Sequence, residues 1–133
     1  MSGPDNIKTI RSVYEAFVRG DVDFVLAQLG DEVDWASDTT SRVAPWYGVR
    51  RSKSEVADFF TAFGSTMEVE EFTPLAYAAD GDEVHTIVHM RAKARANGNV
   101  AEFDLHHFFR MADGKIVYYR GTEDTPQIEQ ALA

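Results

Sequence analysis

The 133-residue sequence has no cysteine, only four prolines, and many fewer basic than acidic side chains, 13 against 22. Without cysteine there is no disulfide framework, no thiolate nucleophile and no thiolate metal site, so stability has to come from ordinary packing. A formal net charge of −9 repels phosphate backbones and anionic membrane surfaces, so neither nucleic acid nor membrane is the expected partner. No apolar run approaches the roughly 18 residues of a membrane span. The stretch from Met1 to Asn6 carries neither the basic nor the apolar region of a signal peptide, and a cytoplasmic setting is expected. Also missing are a Gly-x-Gly-x-x-Gly fingerprint, a Gly-rich lysine loop and a Gly-x-Ser-x-Gly elbow, so no organic cofactor is indicated. What the chain does have is 44% apolar residues. In a single domain over 1–133 that is enough to bury roughly two-thirds of the surface the unfolded form exposes.

Helices come first. From Asp5 to Arg19, Ile7, Ile10, Val13, Tyr14, Phe17 and Val18 recur at three- and four-residue spacing, with Gly20 as the stop. Asp21 caps a shorter helix through Val22, Val25, Leu26 and Leu29, ended by Gly30. Val33 to Asp38 alternates as a short strand. Ser52 and Glu55 then form a capping box for a third helix through Val56, Phe59, Phe60 and Phe63, which Gly64 ends. Strands follow over 67–78, 83–96, 99–111 and 115–123, separated by Asp80-Gly81, Asn97-Gly98 and Asp113-Gly114. Pro74 marks an edge strand or a bulge, and the residues after Thr125 read as a loosely held tail.

Hairpin parity then sorts the side chains onto two faces. A two-residue Asn97-Gly98 turn places Val88 opposite His107 and Met90 opposite Leu105. One face carries Val84, Thr86, Val88, Met90 and Ala92 with Phe103, Leu105, His107, Phe109 and Met111, and His107 is its only titratable group. The other is mixed and includes His85, Ile87, His89, Asp104, His106, Phe108 and Arg110. For the last hairpin, a two-residue turn sets Tyr118 beside Phe109 and a three-residue turn sets Val117 there. The second is preferred because it aligns Tyr119 with His107 and Gly121 with Leu105.

A helix ending in Phe17-Val18-Arg19-Gly20-Asp21, the Trp35 strand, the Pro45-Trp46-Tyr47-Gly48 loop, and His107-Phe108-Phe109-Arg110 before Asp113-Gly114-Lys115-Ile116 resemble the SnoaL-like branch of the NTF2-like superfamily. The resemblance covers about residues 6–124. It implies an α+β cone, three N-terminal helices on a curved antiparallel sheet enclosing an apolar pocket, with homodimers built on the outer sheet face. It also allows residue-by-residue comparison. The ketosteroid isomerase base falls on Trp35, its oxyanion tyrosine near Val13, and its second oxyanion acid on His107. The epoxide hydrolase set falls on Val88, Met90 and Gly121, which removes that mechanism. Polyketide cyclases are more similar, since His107 with Glu123 or Asp124 can supply their histidine and acid.

The candidate catalytic pair is therefore His107 as proton shuttle and Glu123 as its partner, with Asp38 a lesser acid. The alternative is a core imidazole satisfied by Tyr119 or a backbone carbonyl. Trp35, Trp46, Tyr47, Val88, Met90, Phe109 and Tyr119 are the expected pocket wall, with Tyr47 or Tyr119 donating to a ligand carbonyl. Tyr14 is set aside, because one residue of slip from Val13 turns it about 100° around the helix. No metal site is expected from His85, His89 and His106, because strand residues four apart are separated by about 13 Å. Ile87, Phe108 and Tyr118, set among charges, suit a homodimer interface. Two functions fit: cofactor-independent acid–base chemistry of isomerase, cyclase or hydrolase type on a small hydrophobic carbonyl compound, or a small-molecule-binding or protein-association module without chemistry.

Overall fold

The computed structural model describes residues 2–133. The first helix, α1 (Gly3–Val18), starts at Ser2, whose hydroxyl accepts the Asp5 N–H at 3.2 Å while the Asp5 carboxylate reaches back to Ser2. Its apolar stripe buries Ile10, Val13, Tyr14 and Ala16, and Gly20 beyond its end is left-handed at φ +78°. Asp21 caps α2 (Val22–Ala27) through the Phe24 N–H.

The second helix stops short of Leu29. Leu29 and Gly30 instead open β1 (Leu29–Ser37), with Leu29 buried opposite Ile116. Gly30 serves close packing rather than helix termination: a Cβ there would lie 3.1 Å from the Val117 side chain and 3.2 Å from the Glu32 carbonyl. The third helix, α3 (Lys53–Thr66), is capped by Ser52, and Glu55 accepts from the backbone N–H of Arg51 rather than that of Ser52. It runs through Gly64 instead of ending there. Arg95 explains this, donating its side chain to the Gly64 carbonyl at 2.8 Å and its backbone N–H to the Thr66 carbonyl at 2.9 Å, so the last turn is satisfied from outside.

Four further strands, β2 (Met67–Asp80), β3 (Glu83–Ala94), β4 (Val100–Ala112) and β5 (Lys115–Thr122), complete a sheet of order β1-β5-β4-β3-β2, in which only β1 and β5 run parallel. Edge strand β2 bulges between Val69 and Glu71 and again between Pro74 and Ala76, bending the sheet over the helices.

Both hairpin registers differ from expectation by two residues, and both faces survive. The β3–β4 loop closes at Ala94 and Asn99, which pairs Thr86 with His107 and Val88 with Leu105. The β4–β5 turn is the two-residue Asp113-Gly114 form, with both residues at positive φ, but a bulge between Arg110 and Met111 follows. Phe109 therefore faces Tyr119 and His107 faces Gly121. A shift of two preserves the side-chain alternation, so the inner face assigned from parity is the buried one.

The expected loose tail is a fourth helix, α4 (Thr125–Leu132), capped by Asp124 with Pro126 in its first turn. Ile128 and Ala131 are buried, and the Gln127 amide bonds both the N–H and the C=O of Glu102 at 3.1 Å. That amide acts as a short strand on the edge of β4, which β5 leaves uncovered beyond Thr122. No helix of the described residues is long and apolar enough to cross a membrane. Because Ile128 is fully buried, Ile128→Ala should cost about 2–5 kcal/mol, read as a lower urea midpoint. An unchanged midpoint would show that the segment is a tail after all.

Candidate functional site

Between the inner sheet face and helices α1 and α3 lies a cavity of about 80 Å³. Aromatic side chains dominate its wall: Phe17 of α1, Trp35 of β1, Trp46 of the following loop, Phe59, Phe60 and Phe63 of α3, Phe72 of β2, Phe109 of β4 and Tyr119 of β5. Phe17, Phe60, Phe63 and Phe72 also line a groove outside, between α1, α3 and β2, and so form the partition between cavity and surface. An engineered cavity of about 150 Å³ holds benzene, so 80 Å³ suits about three to four non-hydrogen atoms unless that partition moves.

The polar groups of the wall converge. Cross-strand pairing sets Thr86 beside His107, and α1 lays Tyr14 across both. The Tyr14 hydroxyl is 2.5 Å from Thr86 Oγ1 and 2.7 Å from His107 Nδ1. On the other side of His107, Gly121 leaves a slot that the Tyr119 hydroxyl fills: a Cβ at 121 would overlap that hydroxyl and approach His107 Cδ2 to 3.2 Å. Trp35 stacks on Tyr119 with ring centroids 4.0 Å apart. Just past β5, Glu123 lines the cavity and accepts a hydrogen bond from Trp46 Nε1 at 3.3 Å.

Burial decides the protonation states. It depresses the His107 imidazole to about 3, with His106 adding a smaller push in the same direction, so His107 is neutral at physiological pH. This is far from the near-neutral titration that a proton shuttle needs. Burial also raises Tyr14 and Tyr119, which keep their protons. The Glu123 carboxyl is pushed upward by the same desolvation, in the direction a general base working near neutrality requires.

Of the residues expected from sequence, His107, Glu123, Trp35, Trp46, Met90, Phe109 and Tyr119 come together around the cavity, whereas Tyr47 and Val88 do not line it. Val88 is fully buried opposite Leu105 because of the two-residue register difference. Tyr47 packs edge-on against Trp46, and its buried hydroxyl has no hydrogen-bond partner among the described residues. Asp38 lies outside this cavity, beside the groove on the other sheet face. The partner of His107 is Tyr14, not Tyr119. Sequence reasoning missed Tyr14 and Thr86. The signal for Tyr14 was its place in the stripe Ile10, Tyr14, Phe17, and for Thr86 its being the one hydroxyl on the inner face of β3.

On the outer face the three histidines part company. Whereas His85 stands 3.8 Å from Glu83, His89 joins a close cluster, with Nδ1 2.8 Å from Asp104 and Nε2 2.8 Å from Glu102. These carboxylates raise it to about 9, so it is an imidazolium donating both N–H groups. Although Glu71, His89 and Glu102 stand within reach of one ion, His89 and Glu102 belong to an ion-pair network that Arg91 extends to Glu70.

The SnoaL-like domain family matches residues 10–119. The chain belongs to this family. Among solved structures, an NTF2-like protein of unknown function from Burkholderia pseudomallei is 26% identical, with TM-score 0.90 over 100% of this chain and 99% of that one. TerC, co-crystallised with polyporic acid, is 20% identical with TM-score 0.84, covering 96% of this chain and 98% of that one. An LEH-like epoxide hydrolase of M. tuberculosis is 19% identical with TM-score 0.76, covering 98% and 90%. The last two are similar in fold. A search of curated proteins finds no match. In this SnoaL-like domain Gly121 is the test of the site's packing. Gly121→Ala should displace the Tyr119 ring, lower stability by about 1–3 kcal/mol and change the fluorescence of stacked Trp35. Unchanged stability and emission would contradict the slot.

Proposed function

We propose that the cavity binds a small neutral carbonyl compound and moves a proton at the carbon next to the carbonyl. Glu123 is the acid–base group, and Tyr119 and His107 donate hydrogen bonds to the carbonyl oxygen. The observation that carries this reading is one carboxyl group, raised by burial, in a largely aromatic cavity that also holds a neutral imidazole and a protonated phenol. The carboxylate takes the proton from carbon, the electron pair moves into the carbonyl, and the donors stabilise the enolate oxygen. Return of the proton to the same or a neighbouring carbon completes exchange or isomerisation. Every step uses this chain's own residues. The desolvated wall strengthens each of these interactions and excludes the water that would compete for the oxygen.

The small volume, about 80 Å³, favours one second reading, a binding module that holds a small hydrophobe without turnover. Deuterium exchange separates the two. With acetone in D2O, four non-hydrogen atoms in size, the protein should accelerate loss of the α-proton NMR signal, with the rate rising with pH through a midpoint above the usual carboxylate range. Glu123→Gln should slow it by about 10²–10⁴-fold. Saturable acetone binding with no acceleration would establish the module instead.

A further inference from the structure

The roles of His107 and Tyr14 depend on where two protons sit, and the geometry restricts this to one arrangement. We propose that Thr86 and Tyr14 act as a relay that holds His107 in the tautomer protonated at Nε2, so that the imidazole faces the cavity as a hydrogen-bond donor rather than a base. The inference deepens the carbonyl reading above and rests on it for the ligand class, but the tautomer itself is a property of the free protein.

The argument is one of satisfaction. The Tyr14 hydroxyl has a single proton and two polar neighbours, Thr86 Oγ1 at 2.5 Å and His107 Nδ1 at 2.7 Å. In the first arrangement Thr86 donates to Tyr14 and Tyr14 donates to Nδ1, which places the ring proton on Nε2. Each hydroxyl proton then has an acceptor. In the second, Nδ1–H donates to Tyr14 and Tyr14 donates to Thr86. That order leaves the Thr86 proton without an acceptor, because Thr86 Oγ1 makes no other hydrogen bond among the described residues and the residue is 4% exposed. A buried donor left unmade disfavours its arrangement by about tenfold or more. A third state, the imidazolium, would need Tyr14 to accept from Nδ1 and so meets the same orphaned Thr86 proton. Burial opposes it further.

The relay leaves Nε2 with no protein partner among the described residues, in a ring that lines the cavity beside the Tyr119 hydroxyl. Together with Trp35 Nε1, a buried donor of the same wall that also lacks a partner among the described residues, these neutral donors select a ligand by an acceptor oxygen that carries no charge, such as a ketone or aldehyde. They give no advantage to a hydrocarbon of the same shape. Tyr14 is here a positioning residue: its hydroxyl is taken on both sides, and it acts through His107. Thr86 sets the direction of that hydroxyl.

The test is two-bond 1H–15N NMR of the histidine rings in the ligand-free protein at pH 7, with His107 assigned by the loss of its signals in His107→Gln. The expected pattern is a protonated Nε2 and a bare Nδ1. Thr86→Ser should keep that pattern, and Tyr14→Phe should mix the two tautomers. A proton on Nδ1, an imidazolium, or a Tyr14→Phe spectrum identical to wild type would overturn the relay. Acetone should move the His107 signals, while its isostere with CH2 in place of oxygen should leave them in place. If acetone fails to move them and the wild-type tautomer is as expected, the relay is supported and the carbonyl reading of the cavity falls.

Discussion

A single phenol ties the helical layer to the sheet. The Tyr14 hydroxyl crosses from α1 to β3 and β4 and is held there by Thr86 and His107 inside an apolar core. In such surroundings a hydrogen bond is strong and an unmade one is costly, so this contact fixes the rotation of α1 about its axis and the height at which it sits on the sheet. The rest of the cavity follows from that placement. Phe17, one turn further along α1, is set against Phe72 at 4.9 Å and joins the partition. His107 is pinned through Nδ1 in a ring that lines the cavity.

The sheet faces were legible from sequence and the registers were not. Alternation has a period of two, so an error of two residues in the β3–β4 loop moved Val88 from His107 to Leu105 without turning any side chain over. In the last hairpin the turn chemistry and the parity pointed to different loop lengths. The bulge after Arg110 reconciles them: the Asp113-Gly114 turn takes its two-residue form, and Tyr119 and Gly121 still face inward. A bulge leaves no mark in the hydrophobic pattern beyond that conflict. Gly30 and Gly64 were read as helix stops because glycine often serves there, and distant residues, Val117 and Arg95, decided otherwise.

The site's residues were partly legible, and the protonation states that set their roles were not. An inward histidine and a glutamate at a strand end are visible in the sequence, but their protonation depends on how completely water is removed, which is a property of packing. Burial keeps His107 neutral and lifts the Glu123 carboxyl above its ordinary value. The family resemblance set the isomerase's oxyanion tyrosine near Val13, and it is the neighbouring Tyr14 that reaches His107. Both Val13 and Tyr14 line the cavity, so the one-residue difference did not carry Tyr14 out of it. Members of a shared fold can thus fill equivalent space from adjacent positions, and motif alignment alone cannot see this.

The central claim is that His107 is a neutral, desolvated imidazole within the fold. Its folded value, about 3, lies below that of an exposed histidine, so the folded state binds fewer protons than the unfolded one between those limits. Stability from this group is therefore full above about pH 6.5 and falls as pH drops toward 3. The most direct measurement is an NMR titration of the His107 ring from pH 8 to pH 4 in the folded protein. The account predicts ring signals that stay those of the neutral imidazole throughout. A His107 midpoint near 6.5 would contradict it and restore the imidazole as the proton shuttle.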